Sequence, residues 1–152
     1  MAKRAGATVS EAFVQGLSEG RNWSAIYKLV REGVSQGAFG ANTVERFLEY
    51  ASPESDTRRI VREAIVGNRS WKRRVADRSP LSPAEMERMT NVAEVVREAR
   101  RIYGGDVDAA ERFLASPHKR LGGEPPIIVA AAEGGGQAVR EVLARLEEGA
   151  PA

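Results

Sequence analysis

Apolar residues recur every three or four positions along most of the chain, the spacing that places side chains on one face of an α-helix. The clearest example opens with a predicted cap at Ser82, a first-turn proline at Pro83 and an acid at Glu85. It continues through apolar positions from Met86 to Ile102 and stops at Gly104-Gly105. Strand-like sequence is confined to residues 127–129, a stretch too short to build a sheet. The pattern therefore predicts an all-α protein. The predicted helical segments are 9–17, 26–34, 44–51, 53–66, 70–78, 86–102, 109–114, 126–132 and 139–146. Ser52 is the predicted cap of the segment at 53–66, with Pro53 as its first-turn proline.

Two prolines, Pro80 and Pro83, interrupt the helical pattern within residues 79–83, and this break coincides with a change of charge. Residues 1–80 carry 14 basic and 9 acidic side chains, whereas residues 81–152 carry 9 basic and 12 acidic ones. A basic part followed by an acidic part suggests an anionic partner for the first and a different partner for the second. We predict an N-terminal helical domain at 1–78, helix-turn-helix-like near 44–78, then a linker at 79–83 and a C-terminal domain at 84–152.

Several classes of protein are disfavoured by what the sequence contains. There is no cysteine, so disulfides, thiolate metal sites and cysteine nucleophiles are excluded. The longest apolar run, residues 127–132, is too short to span a bilayer, and the basic start of the chain leads into no apolar signal segment. A soluble, cytoplasmic protein with no membrane partner is the expectation.

Nothing in the sequence resembles an active site. The single histidine, His118, has no partner ligands at metal-binding spacing, and an exposed loop histidine is the better interpretation. The glycines at 134–136 lack the ending of a phosphate-binding loop, and a flexible helix cap is favoured there. No carboxylate pair is expected to converge in a cleft. The sequence predicts a protein that is not an enzyme, with no cofactor and no metal site.

Residues 58–78 concentrate the positive charge, with eight basic and two acidic side chains. Within this stretch Arg69, Lys72, Arg73 and Arg74 surround Trp71 on a short predicted helix. Several cations on one helix are a common footprint for nucleic-acid phosphates. A solvated basic helix anchored by a buried Trp71 explains the pattern equally well, and the pattern alone leaves both open.

A series of ordered features runs through the second half of the chain. They are Leu81-Ser82, Glu87-Arg88, the stretch Ala99 to Gly105, Ala110, Phe113-Leu114, Ser116-Pro117, the stretch Leu121 to Pro126, Gly134, Val139, Leu143, Arg145 and Gly149. Residues 81–150 thereby resemble the toxin-binding domain of the Xre, MbcA and ParS antitoxins. Residues 67–74 look like the end of that family's helix-turn-helix. The chain departs from the family at Ser70-Trp71, usually a Thr-Leu-like pair, and at Phe113, often a tryptophan.

The resemblance implies an antitoxin of a type II toxin–antitoxin module. Its partner would be a RES-domain toxin that consumes NAD or transfers ADP-ribose, held inactive by direct binding that blocks its NAD site. The resemblance also implies operator DNA as a second partner, with autorepression, and a homodimer or higher assembly with the toxin. The alternative is a stand-alone helix-turn-helix regulator whose C-terminal domain dimerises.

Carried over residue by residue, the resemblance implies three sets of functional residues. The toxin-binding candidates are Arg140, Leu143, Arg145, Leu146, Glu147, Glu148, Gly149 and Ala152. The DNA-binding candidates are Arg69, Lys72, Arg73 and Arg74. The structural-loop candidates are Leu121, Gly122, Gly123 and Pro125, where the glycines permit positive φ and the proline stiffens the chain.

Overall fold

The computed structural model describes residues 8–52, 54–132 and 134–149, apart from the side chain of Val34. All regular structure in these ranges is helical, and their only β pairing is an isolated bridge between His118 and Glu124. The predicted all-α class is confirmed. The helices are α1 (Val9–Ser18), α2 (Trp23–Gln36), α3 (Ala41–Ala51), α4 (Ser55–Ile65), α5 (Asn68–Asp77), α6 (Pro83–Ile102), α7 (Val107–Ala115), α8 (Pro126–Ala131) and α9 (Gly135–Glu147), with a 3-10 turn at Lys119–Leu121.

The helix starts in the second half follow the local chemistry that the sequence predicts. Ser82 caps α6, because its Oγ accepts a hydrogen bond from the Glu85 amide at 3.2 Å while Glu85 Oε1 accepts one from the Ser82 amide at 2.8 Å. The Asp106 side chain caps α7 by accepting a hydrogen bond from the Ala109 amide at 3.0 Å. These capping bonds satisfy amide groups that have no partner within the helix.

The start of α4 differs from the sequence prediction. The sequence places a cap at Ser52 and a first-turn proline at Pro53, but Pro53 lies outside the described residues. The helix begins at Ser55, and the Glu54 side chain caps it by accepting hydrogen bonds from the amides of Asp56 and Thr57. A carboxylate at this place also interacts favourably with the positive end of the helix dipole.

Helix α6 is the centre of the fold. It packs against α2, α3 and α4, which precede it in the chain, and against α7, α8 and α9, which follow it. Its apolar side chains are almost all removed from solvent: Met89, Val92, Ala93, Val95, Val96 and Ala99 are fully buried. Packing against several helices explains why the apolar face of this helix is broad. The long helix predicted from residue 86 to 102 is thus the common partner of both halves.

The core is continuous across residues 79–83, which the sequence predicts as a linker. One cluster of buried side chains contains Phe13 and Phe47 from the first half together with Met89, Ile127 and Leu143 from the second. The segment at 79–83 is itself bonded to the body, since the Leu81 amide donates to the carbonyl oxygen of Phe39 at 2.9 Å. The division into two domains at residues 79–83 stays a prediction. The shared core argues against independent folding of the two halves.

Polar contacts reinforce the junction between the halves. Arg100 on α6 donates to the carbonyl oxygen of Tyr50 at 2.9 Å, and its guanidinium lies 4.0 Å from the Tyr50 ring centroid. The Tyr50 hydroxyl donates in turn to the carbonyl oxygen of Leu17 at 2.7 Å. Burial raises the pKa of Tyr50 against the opposing effect of Arg100, so this hydroxyl stays a donor. Helices α1, α3 and α6 are therefore held together by these contacts.

In the part of the chain that the structure describes, no helix is long and apolar enough to cross a membrane.

Candidate functional site

The basic helix α5 presents three cations to solvent. Arg69, Lys72 and Arg73 are exposed, and within the described ranges none of them makes an ion pair. Positions spaced by three and four residues lie on the same face of a helix, so these three side chains share one surface. We call Arg69, Lys72 and Arg73 the basic surface of α5. Their arrangement suits a phosphate backbone, which is bound mainly by clustered cations.

Arg74, the fourth DNA-binding candidate, points the other way. Its Nε donates to Glu85 Oε1 at 2.9 Å and its Nη1 donates to Ser79 Oγ at 3.2 Å. The side chains of Arg74 and Glu85 are only 12% and 6% exposed. Arg74 is thus occupied inside the protein, and a phosphate contact would require this ion pair to break. The site candidates therefore separate into three exposed cations and one that connects α5 to α6.

Trp71 and Arg62 anchor the other end of α5. Trp71 is half-buried and packs against the core, as expected for a hydrophobic anchor. The Arg62 guanidinium lies 4.9 Å from the Trp71 ring centroid, and it donates to the carbonyl oxygen of Val66 at 2.9 Å and to Asn68 Oδ1 at 2.7 Å. Burial lowers the pKa of Arg62 against the opposing effect of Glu63, but arginine remains charged. Arg62 thereby fixes the short turn between α4 and α5.

The first part of α9 is built into the protein rather than presented to a partner. Leu143 is buried, at 1% exposure, within the core cluster. The Arg140 guanidinium pairs with Glu94 Oε1 on α6 at 2.8 Å, and it also donates to Gln137 Oε1 at 3.2 Å. Both residues are toxin-binding candidates from the sequence, and the structure gives them a packing role. A partner could reach Arg140 in part but could reach Leu143 only by unpacking α9.

The end of α9 is where candidate side chains reach solvent. Arg145, Glu148 and Gly149 are exposed, and Leu146 is half-buried against the core. Glu147 is exposed too, but its Oε2 lies 2.7 Å from Arg101 Nη1. The hydrogen bond from Arg101 holds the pKa of Glu147 below its ordinary value. Ala152, the remaining toxin-binding candidate, lies outside the described residues.

The loop between α7 and α8 has the geometry that its sequence suggests. Gly122 and Gly123 adopt φ values of +67° and +82°, which a residue with a Cβ rarely accepts. The His118 amide donates to the carbonyl oxygen of Glu124 at 3.2 Å, and His118 Nδ1 accepts a hydrogen bond from the Arg120 amide at the same distance. His118 therefore helps to close the loop. Across the described ranges there is no group of three or more potential metal ligands.

Several residues that organise these surfaces do not stand out in the sequence. The sequence identifies Glu85 as the acid in the first turn of the helix that Ser82 caps, but not as the partner of Arg74, and it singles out neither Arg62 nor Arg101. The spacing of Trp71 and Arg74 by three residues is the available signal. Those two positions share the face of α5 opposite the basic surface, so that face is the one to expect against the body.

Comparison of the sequence with known proteins finds one matching family model and similar relatives. Residues 98–149 match the model of the Antitoxin Xre/MbcA/ParS C-terminal toxin-binding domain. The chain is 31% identical over 90 residues to Antitoxin Xre of Yersinia enterocolitica serotype O:8 / biotype 1B, covering 59% of this chain and 61% of that protein. It is 28% identical over 90 residues to Antitoxin Xre of Pseudomonas putida KT2440, covering 59% of this chain and 56% of that protein.

The described part of the chain is therefore an all-helical fold that exposes a basic surface on α5 and contains, in its second half, a segment similar to a toxin-binding domain. Residues 98–149 match the model of that toxin-binding domain, and the resemblance of the chain to the Xre/MbcA/ParS-type antitoxins is confirmed. The alignments span about 60% of the length of the curated relatives that the chain matches.

Proposed function

We propose that the protein is the antitoxin of a toxin–antitoxin module, and that it neutralises a RES-domain toxin by binding it and covering its NAD site. The observation that carries the proposal is the match of residues 98–149 to a toxin-binding domain. In this structure that segment contains the end of α6, α7, the glycine loop, α8 and α9.

The end of α9 is the part of this domain best suited to enter a partner's pocket. Its base is fixed by the buried Leu143 and by the ion pair of Arg140 with Glu94, whereas Arg145, Glu148 and Gly149 extend into solvent. A pocket that binds the pyrophosphate of NAD is expected to be basic, so an exposed carboxylate can compete for it. Glu148 fills this role better than Glu147, because Glu147 is already paired with Arg101.

The test measures NAD turnover by a purified RES-domain toxin titrated with the full-length chain. Replacing Glu148 by Lys puts a cation where the proposal needs an anion, and we expect inhibition to weaken at least about tenfold, as for loss of an interface anchor. Glu87→Lys makes the same charge change at an exposed position of α6, outside the matched segment, and serves as the control. Equal inhibition by both variants would rule out the blocking role of this end of α9.

The stand-alone regulator is separated from the antitoxin by the wild-type result of the same titration. A protein whose C-terminal domain only dimerises should leave NAD turnover unchanged at every concentration. Complex formation between the toxin and the chain, followed by size-exclusion chromatography, also gives the stoichiometry of a dimer or higher assembly.

We further propose that the protein binds operator DNA through the basic surface of α5 and represses its own operon. The supporting observation is that Arg69, Lys72 and Arg73 are exposed together on the helix that follows the short α4–α5 turn. Removing one cation that neutralises a phosphate should reduce the slope of log affinity against log salt by about one. Replacing Lys72 and Arg73 by Ala should therefore weaken binding and flatten the salt slope by about two. An unchanged slope would place the DNA-binding surface elsewhere.

A further inference from the structure

Helix α5 has only ten residues, and none of its side chains is fully buried. A helix of this length is marginal in water unless tertiary contacts hold it. The direction in which it presents its basic surface therefore depends on its packing against α3 and on a few contacts near its ends. At its start these are the half-buried Trp71 and the turn held by Arg62.

At the other end the main contact is the pair of Arg74 and Glu85. Arg74 bonds through two nitrogens in different directions, with Nε on Glu85 and Nη1 on Ser79. Glu85 Oε1 accepts from both Arg74 Nε and the Ser82 amide, so one carboxylate oxygen joins the basic helix to the first turn of α6. Because α6 is the buried centre of the fold, this oxygen is a fixed point to which α5 is attached.

We propose that Glu85 is a positioning residue for nucleic-acid binding, acting through Arg74 to hold the basic surface of α5 in place. The inference deepens the DNA-binding role proposed above and rests on it. Arg74 is the other half of this ion pair. By attaching α5 to α6 it orients Arg69, Lys72 and Arg73, and it does not itself contact phosphate. Removal of the Glu85 charge leaves Arg74 as a largely buried cation without its counter-charge, which favours movement of Arg74 towards solvent and loosens the end of α5.

This assignment predicts a change in DNA affinity opposite to the one that simple electrostatics predicts. A carboxylate near a DNA-binding surface repels phosphate, so neutralising it should strengthen binding. If Glu85 positions α5, the variant Glu85→Gln should instead weaken binding about tenfold, the change that 1.4 kcal/mol produces. Gln keeps an Oε1 acceptor for the Ser82 amide and for Arg74 Nε, so the cap of α6 is preserved while the negative charge that pairs with Arg74 is removed.

The experiment compares full-length Glu85→Gln with Glu87→Gln. Both variants remove one negative charge from the start of α6, but Glu87 is exposed and makes no ion pair in the described ranges. Affinity is measured against a duplex covering the promoter of the chain's own gene and against a scrambled duplex of equal length. The expected result is weaker binding by Glu85→Gln and equal or stronger binding by Glu87→Gln. The same affinity for both variants would overturn the proposal.

Amide hydrogen exchange on the full-length proteins without DNA provides a second measurement. The α5 amides should exchange faster in Glu85→Gln than in Glu87→Gln, while those of α9 remain equally protected in both. Unchanged protection of α5 would contradict the proposal whatever the affinities. If the wild type binds neither duplex, the DNA-binding role fails, yet hydrogen exchange still decides whether Glu85 holds α5.

A third variant covers the case in which Glu85→Gln does not fold. Arg74→Lys keeps the positive charge but cannot reach two acceptors in different directions as the planar guanidinium does. A positioning role predicts that DNA binding falls although the net charge is unchanged. The matched control is Arg31→Lys, the same replacement at an exposed site on α2. Wild-type affinity in Arg74→Lys would show that Arg74 acts only as a charge.

Discussion

Replacing Leu143 by Ala separates the packing of α9 from its contact with a partner. Leu143 is 1% exposed and lies in the same buried cluster as Val139 and Met89. Truncation of a buried leucine removes its transfer free energy and leaves a cavity, which together cost about 2–5 kcal/mol. A domain of this kind is stable by about 5–15 kcal/mol, so the variant should lose a large fraction of its free energy of unfolding without unfolding outright.

The assay is urea unfolding of the full-length chain, followed by far-UV circular dichroism and extrapolated to zero denaturant. Arg145→Ala is the matched control on the same helix, since an exposed side chain should change stability by no more than about 0.5 kcal/mol. Under conditions where both variants are folded, Leu143→Ala should still inhibit the toxin and Arg145→Ala should inhibit it less. A Leu143→Ala protein of wild-type stability with weakened inhibition would refute the packing role and restore Leu143 as a contact residue.

Two further predictions concern stability. Gly135→Ala should destabilise the protein by at least about 1–3 kcal/mol in urea unfolding, because its Cβ would overlap the carbonyl oxygen of Val129, whereas Gly67→Ala, with open space around it, should change little. Burial acts to raise the pKa of Glu85, but hydrogen bonds from Ser82 and Arg74 outweigh it and hold that pKa below its ordinary value. The stabilisation is therefore present above about pH 4.5 and is lost as the pH falls through the lowered pKa. Wild type should lose more stability than Glu85→Gln over that acid range, and equal losses would contradict the assignment.

Features that depend on neighbouring residues could be predicted from the sequence. The cap of α6 followed from Ser82 and Glu85 at the spacing of a capping box, and the positive φ of Gly122 and Gly123 followed from their place in a tight loop. The helices themselves followed from apolar spacing, because burial along one face imposes the helical period on the sequence. The resemblance to the antitoxin family rested on short motifs of this kind, spread in a fixed order over residues 81–150.

Features that depend on packing between distant elements could not be predicted. The spacing of Trp71 and Arg74 indicates that Arg74 faces the body, but only the tertiary fold makes Glu85 its partner. The residues at 79–83 have linker-like composition, but the hydrogen bond from Leu81 to Phe39 depends on the tertiary fold. Leu143 and Leu146 belong to one stripe in the sequence, yet one is fully buried and the other half-buried.

The central position of α6 also constrains the order in which the chain can fold during synthesis. The core contains Phe13, Phe47 and their neighbours in α1 to α3 together with side chains of α6. Helix α6 is synthesised after these helices. At about 5–20 residues per second, the first helices spend seconds with part of their apolar surface uncovered. We therefore expect this chain to gain its stable structure only after α6 has emerged, and to be most open to chaperones and proteases until then.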